Sequence, residues 1–278
     1  MNARLLFILL LFTIGALWYI IGYWRRKAGE AAFAAARLTE KSEERERYCR
    51  RAVMAGHREA CRMFCLLHPE RFDGHSPHKP FKLRGIRISF YGYYYPSRYN
   101  ALLNDEQRAF CHSIYQFKQG DIHGIEFFKT CMNALQLKKR PYHIMFMPCS
   151  NWIKYGQRFK RLDWYIGKHR QDLTSGLYDV DICDARESLH EAKGGEKRIL
   201  ERNYLITGKI KGKEIIIIDD VLTTGQSVVD YKEEIERCGG KVVAAIFYGK
   251  TLSMPSMLLV QIHVWGNHIA HIIERMTK

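Results

Sequence analysis

Residues 214–227 read EIIIIDDVLTTGQS. Two adjacent carboxylates, Asp219 and Asp220, stand behind four isoleucines and ahead of Thr223, Thr224, Gly225, Gln226 and Ser227. Ionised carboxylates accept hydrogen bonds well, and a vicinal diol offers two donors at matching spacing. Hydroxyls and a glycine just before a helix suit a phosphate, because the free N–H groups of the helix start point at it. Gly225 lets the backbone come close and take an unusual dihedral. A capped helix after a core strand would account for Thr224 and Gly225 but leaves the paired acids without a task. A ligand carrying a sugar diol beside a phosphate accounts for both halves.

The elements that must hold these residues follow from periodicity. Glu214–Ile218 is β-branched without alternation, the pattern of a central parallel strand buried on both faces. Residues 226–238 carry Val228, Val229, Tyr231, Ile235 and Cys238 at helical spacing, closed by Gly239-Gly240. KVVAAIFY (241–248) reads as the next buried strand and LLVQIHVW (258–265) as another. Strand, helix, strand implies a βαβ unit. Upstream, RGIRISFYGYYY (84–95) reads as a strand, Asn104-Asp105 caps a helix to about Phe117, and Gly120-Asp121 breaks it before another to about Leu137. HIMFMP (143–148) is a short strand, followed by a polar CSNW turn and a basic amphipathic helix around Phe159–Ile166. Asp172–Tyr204, polar and charged, reads as a long mobile excursion. The fold class expected is α/β, a mostly parallel sheet flanked by helices. Acids at the carboxyl end of a central strand then lie where open α/β sheets bind ligands.

The N-terminal region differs. Leu5–Trp24 carries no charge, and twenty helical residues span ~30 Å, a bilayer's hydrocarbon core. Trp18, Tyr19, Tyr23 and Trp24 cluster at one end, before Arg25, Arg26 and Lys27. These features predict a single-pass transmembrane anchor with the bulk of the chain cytoplasmic. Residues 28–68 read as a helical stalk or hairpin with one tetratricopeptide-like unit, a surface for a protein partner at 45–68. The domains expected are 1–27, anchor; 28–68, stalk; 69–82, linker; and 83–278, the α/β domain. The net charge of +15 suggests an anionic partner, whether phosphates, nucleic acid or an acidic membrane surface. The eight cysteines form no CxxC pair, which argues against a zinc ribbon or disulfide scaffold. Cys61, Cys65 and His68 fit helix residues at turn spacing better than a metal site.

DDVLTTGQS resembles the phosphoribosyl pyrophosphate (PRPP) motif of the type I phosphoribosyltransferases. IYQFKQGDIHGIEFF (114–128), MPCSNWIKYGQRFKRL (147–162) and Arg186, Ser188, His190, Arg198 or Arg202 and Asn203 in order extend the likeness to the ComF-like branch, over roughly residues 85 to 250. The resemblance implies that Asp219 and Asp220 hold the ribose hydroxyls and that Thr223–Ser227 grip the 5′-phosphate. It implies a pyrophosphate-side loop at Pro148, Cys149, Ser150 and Asn151, and a flexible loop carrying Arg186, His190, Arg198 and Arg202. Magnesium would arrive on the diphosphate, with no direct protein ligand. The paired-cysteine knuckles common at the start of ComF-like proteins are absent from this sequence, and the usual proline-valine-proline turn reads Met147-Pro148-Cys149. Cys149 has no base visibly placed to activate it and reads as a packing residue.

Three functions follow from this reading. The first is a membrane-anchored phosphoribosyltransferase acting on an unknown nitrogenous acceptor. The second is a non-catalytic regulator that binds PRPP or a nucleotide. The third is a ComF-like competence factor handling single-stranded nucleic acid, which is not favoured. Against the third, Trp152, Tyr155, Phe159 and Trp164 sit at helical spacing, as core residues do.

Overall fold

Ile215, Ile216, Ile217 and Ile218 are fully buried, at about 1.5–3 kcal/mol each for an aliphatic side chain removed from water. The sheet they centre belongs to one of two compact units, His75–Asn100 with Asn104–Leu252; the other comprises Met1–Gly74, Ala101–Leu103 and Ser253–Lys278. The computed structural model describes residues 3–120, 123–182 and 203–277, and their side chains apart from those of 3–6, 8, 9 and 123.

In the helical unit, α1 (Ala3–Leu38) is followed by α2 (Ser42–Met54), α3 (Arg58–Leu67) and the short α4 (Pro69–Asp73). Gly56, at φ 90°, turns the chain between α2 and α3. Part of the expected linker is thus helical. Cys49, Cys61 and Cys65 are buried in this unit's apolar core with Phe64, and burial pushes the Cys61 thiol up to about 11 and that of Cys65 to about 12. Among the described residues no group of three or more His, Cys, Asp or Glu side chains is placed to hold a metal ion.

The expected transmembrane span is not found: among the described residues no helix is long and apolar enough to cross a membrane. The residues from Leu10 to Trp24 precede the basic triplet at positions 25–27. Their side chains are exposed on every face of the helix, Phe12, Trp18, Tyr19 and Ile21 among them.

The α/β unit opens with β1 (Phe81–Leu83) and β2 (Ile86–Tyr94), then α5 (Asp105–Lys118) and α6 (His123–Leu135). Asn104 starts α5 with a capping box, accepting from the Gln107 N–H at 2.8 Å while the Gln107 side chain returns to its own N–H. Next come β3 (Tyr142–Phe146), α7 (Trp152–His169), β4 (Leu173–Ser175), β5 (Val180–Ile182), β6 (Tyr204–Ile206), β7 (Glu214–Leu222), α8 (Gln226–Arg237) and β8 (Lys241–Thr251). The main sheet has the order β1-β2-β8-β7-β3-β4, parallel throughout except for the antiparallel edge strand β1. β5 and β6 form a separate antiparallel ribbon. The described ends of the expected 172–204 excursion are therefore strand: β4 on the sheet edge and β5 in the ribbon. Tyr248 on β8 collects Phe110 and Phe117 from α5 and Phe127 from α6 into one aromatic cluster, which fixes these helices on the sheet.

The expected strand at 258–265 is instead part of a helix, α9 (Met257–Met276), started by Ser256, whose side chain accepts from the Leu259 N–H. Val260 and Val264, one turn apart, are its buried residues and join the helical unit's core. An apolar run of eight cannot by itself separate strand from buried helix, and here the cap and the length decide it.

Candidate active site

β3 and β7 pair in register from His143↔Ile215 to Phe146↔Ile218. The Met147 N–H still donates to the Ile218 carbonyl at 2.9 Å, and then Pro148, with no N–H, ends the pairing. The chain turns through Cys149–Asn151 into α7, whose first turn is capped by Asn151 accepting from the Lys154 N–H at 2.9 Å. β7 runs on to Leu222 against β8 alone. The two neighbouring strands therefore part at their carboxyl ends, and Asp219 and Asp220 lie in that opening, on the strand rather than in the turn after it.

Both acids are nearly removed from water, with side chains 13% and 10% exposed. Two cations meet them. Arg158 of α7 reaches Asp220 at 2.9 Å and Asp219 at 3.6 Å, and Lys118 at the end of α5 reaches Asp220 at 3.2 Å. Gly120 makes this convergence feasible. It takes φ 89°, and a Cβ there would stand 2.4 Å from the carbonyl oxygen of Gln157, the residue before Arg158. Only glycine lets the end of α5 lie against the backbone of α7.

Backbone donors complete the pair: the Asp220 N–H donates to Asp219 at 2.8 Å and the Val221 N–H to Asp220 at 2.6 Å. Burial, then repulsion from Asp220, push the Asp219 carboxyl up to about 8 against the pull of Arg158. Burial also works against ionised Asp220, but Arg158 and Lys118 outweigh it and hold this carboxyl below the usual range. Near neutrality the pair thus comprises one ionised acid and one that can carry a proton. Arg158 Nε is buried with no hydrogen-bond partner among the described residues, a spare donor beside the acids.

The loop after β7 exposes Thr223, Thr224, Gln226 and Ser227, while Gly225 is buried at φ 79° as the N-cap of α8. A Cβ on Gly225 would fall 2.3 Å from Leu83 Cδ2. The Gln226 N–H donates to Thr224 Oγ1 at 3.4 Å, and Arg84 donates to the Gln226 side chain at 2.6 Å. On the other wall the Cys149 carbonyl accepts from the buried Asn203 amide at 3.2 Å. Burial pushes the Cys149 thiol up to about 12, so it is no nucleophile near neutral pH.

Of the residues singled out from sequence, the structure brings Asp219, Asp220, Thr223–Ser227 and Pro148–Asn151 to one end of the sheet. Arg186, His190, Arg198 and Arg202 lie outside the described residues. Sequence reasoning missed Lys118, Arg158 and Arg84. Lys118 and Arg158 stood inside quoted segments, but nothing in their spacing set them apart from the chain's other 42 basic residues, 44 Lys and Arg in all.

Residues 171–251 match the model of the phosphoribosyl transferase domain. An orotate phosphoribosyltransferase of Sulfolobus acidocaldarius is 42% identical over 57 residues, 20% of this chain, so the chain spans about a quarter (26%) of that relative's length. Together with the mostly parallel sheet, these likenesses support the phosphoribosyltransferase family for the α/β unit. Neither match points to the ComF-like branch or to a membrane anchor.

Proposed function

We propose that this chain binds PRPP as its magnesium complex and transfers the phosphoribosyl group to a nitrogenous acceptor, releasing pyrophosphate. The observation that carries the reading is the pair Asp219–Asp220 at the parting of β7 and β3, followed at once by a glycine-capped helix start. In this reading the ribose hydroxyls donate to the two carboxylates. The 5′-phosphate sits on the N–H groups and hydroxyls of Thr223–Ser227, and Pro148–Asn151 face the diphosphate. Arg186, His190, Arg198 and Arg202 would close over it, which would shield the oxocarbenium-like centre from water. Arg158 and Lys118 hold Asp220 ionised and lend positive charge to the side on which pyrophosphate departs.

Magnesium fits this donor set as an ion brought by the diphosphate. It would keep several waters and need no direct protein ligand, which leaves both carboxylates to the ribose hydroxyls. When bound it would neutralise leaving-group charge. Attachment to a lipid surface through α1, supported by its exposed apolar collar, completes the proposal; recovery of the full chain in the soluble fraction would refute that part.

The test is calorimetric titration of PRPP with Mg²⁺ into the full chain and into Asp220→Asn, followed by pyrophosphate release with a panel of nucleobases. Binding by the wild type that weakens at least tenfold in the variant is expected. Equal binding by both chains, or none by the wild type, overturns the reading. Binding without turnover on any base would leave a PRPP-responsive regulator and remove the transferase step.

A further inference from the structure

The helical unit holds a cavity of about 820 Å³ that is separate from the paired acids. Its charge is one-sided. Arg47, Arg50 and Arg51 stand at i, i+3 and i+4 on one face of α2, and Arg71 comes from α4. His263 and His271, with Asn267 between them, stand at i, i+4 and i+8 on α9, which packs against α2. No carboxylate lines the cavity among the described residues.

The acids nearest these groups leave most of the positive charge in place. Glu46 takes Arg50 at 2.9 Å and lies 3.2 Å from His68, and Glu274 stands 4.0 Å from His271. Arg47 and Arg51 meet no carboxylate within ion-pair distance among the described residues. The field is felt inside the cavity: burial first, then Arg71 and Arg50, lower the His263 pKa. At the rim, Arg25 of α1 donates to the Met54 carbonyl at 2.7 Å, adding a cation beside a residue that lines the cavity. Like charges gathered this closely raise the free energy of the folded chain, and an anion removes that cost. Guanidinium forks match phosphate oxygens bidentately, and the volume suits a ligand of nucleotide or headgroup size.

We infer that this cavity is a second binding site, for an anion bearing more than one phosphate charge, formed by the α2 arginines, Arg71 and the α9 histidines. Its source is either a soluble polyphosphate or the headgroup of an anionic phospholipid; the recognition chemistry is the same.

The experiment uses the full chain in non-ionic detergent with two probes. Inorganic triphosphate is titrated by calorimetry, and, after detergent removal, binding to phosphatidylcholine vesicles with or without cardiolipin, whose headgroup carries two phosphates, is assayed by flotation. The variants are Arg47→Gln/Arg51→Gln, both exposed positions outside the unit's core, and Thr224→Val, which disturbs only the phosphate loop of the α/β unit. Loss of about tenfold or more in triphosphate affinity with the arginine variant, retained in Thr224→Val, supports a soluble polyphosphate. Loss of cardiolipin-dependent flotation with the arginine variant, without a triphosphate effect, supports a lipid headgroup. If the arginine variant matches the wild type with both probes, the inference is wrong.

Discussion

Replacing Arg158 with methionine isolates the electrostatics of the paired acids. The substitution keeps an apolar stem of similar length and removes the guanidinium that stands 2.9 Å from Asp220 and 3.6 Å from Asp219. Breaking a buried pair from one side costs about 3–5 kcal/mol, and Lys118 at 3.2 Å remains as partial compensation. A loss on the order of 3 kcal/mol near pH 7 is therefore expected. Protonation sets a ceiling on the loss. An aspartate forced to stay neutral costs ~1.4 kcal/mol for each pH unit above its unfolded pKa of ~3.9, hence ~4 kcal/mol at pH 7 and only ~1.5 kcal/mol at pH 5. The sign follows from the depressed pKa of Asp220 in the wild type. That stabilisation is present above the unfolded pKa and fades as pH falls, so the variant's deficit must shrink with acid.

The chain has two units, so a single global unfolding midpoint would mix them. Amide hydrogen exchange of β7 and α7 reads the α/β unit alone. The cycle is closed with Asp220→Asn and the double variant. The double variant should be more stable than Arg158→Met at pH 7, because the stranded charge is gone. An Arg158→Met deficit that is the same at pH 5 and pH 7, or a coupling below about 0.5 kcal/mol, would refute the assignment of Arg158 as the acids' partner.

Two further expectations bear on the same region. Asp219, with its pKa raised to about 8, holds a proton in the folded chain that the unfolded chain has released, so it contributes a loss of stability as pH rises from about 4 to 8. Asp219→Asn should flatten hydrogen-exchange stability across that window by on the order of a few kcal/mol; an unchanged slope would place the titration elsewhere. Gly225→Ala should cost about 1–2 kcal/mol for the left-handed backbone at φ 79° and weaken PRPP binding by displacing the phosphate loop. Leu83→Ala, which clears the atom 2.3 Å from the new Cβ, should recover part of the affinity if sterics contribute, and no recovery would leave the dihedral as the whole cause.

How far the sequence carried the fold depends on the range of the interaction. Asn104, Gly239 and the isoleucine run each act on neighbours within a few residues, and the elements they imply are where they were expected. The segment 258–265 failed for a tertiary reason: Val260 and Val264, one turn apart, are buried in the core of the helical unit, while Leu258, Leu259 and Ile262 are exposed. The acids were expected at the carboxyl end of the central strand, in the turn before the helix, where open α/β sheets bind ligands. They remain on β7 because β8 continues beside them to Thr251, and the pairing Asp219↔Phe247 to Leu222↔Lys250 satisfies their backbone where β3 has ended.

The counterions show the same division more sharply. Lys118 lies about a hundred residues before Asp220, and Arg158 about sixty, on two different helices, and no periodicity encodes which face of a basic helix meets a distant strand. Gly120 was legible only as a helix break. In the folded chain its missing side chain lets α5 reach the backbone of α7, and so brings the two cations to one carboxylate. A buried pair of acids cannot persist beside a run of isoleucines without such partners. DDVLTTGQS therefore implied buried cations as firmly as it implied a sugar and a phosphate, and that inference was open to charge balance alone. Which of the 44 basic residues would answer it was decided only by the packing of the two helices.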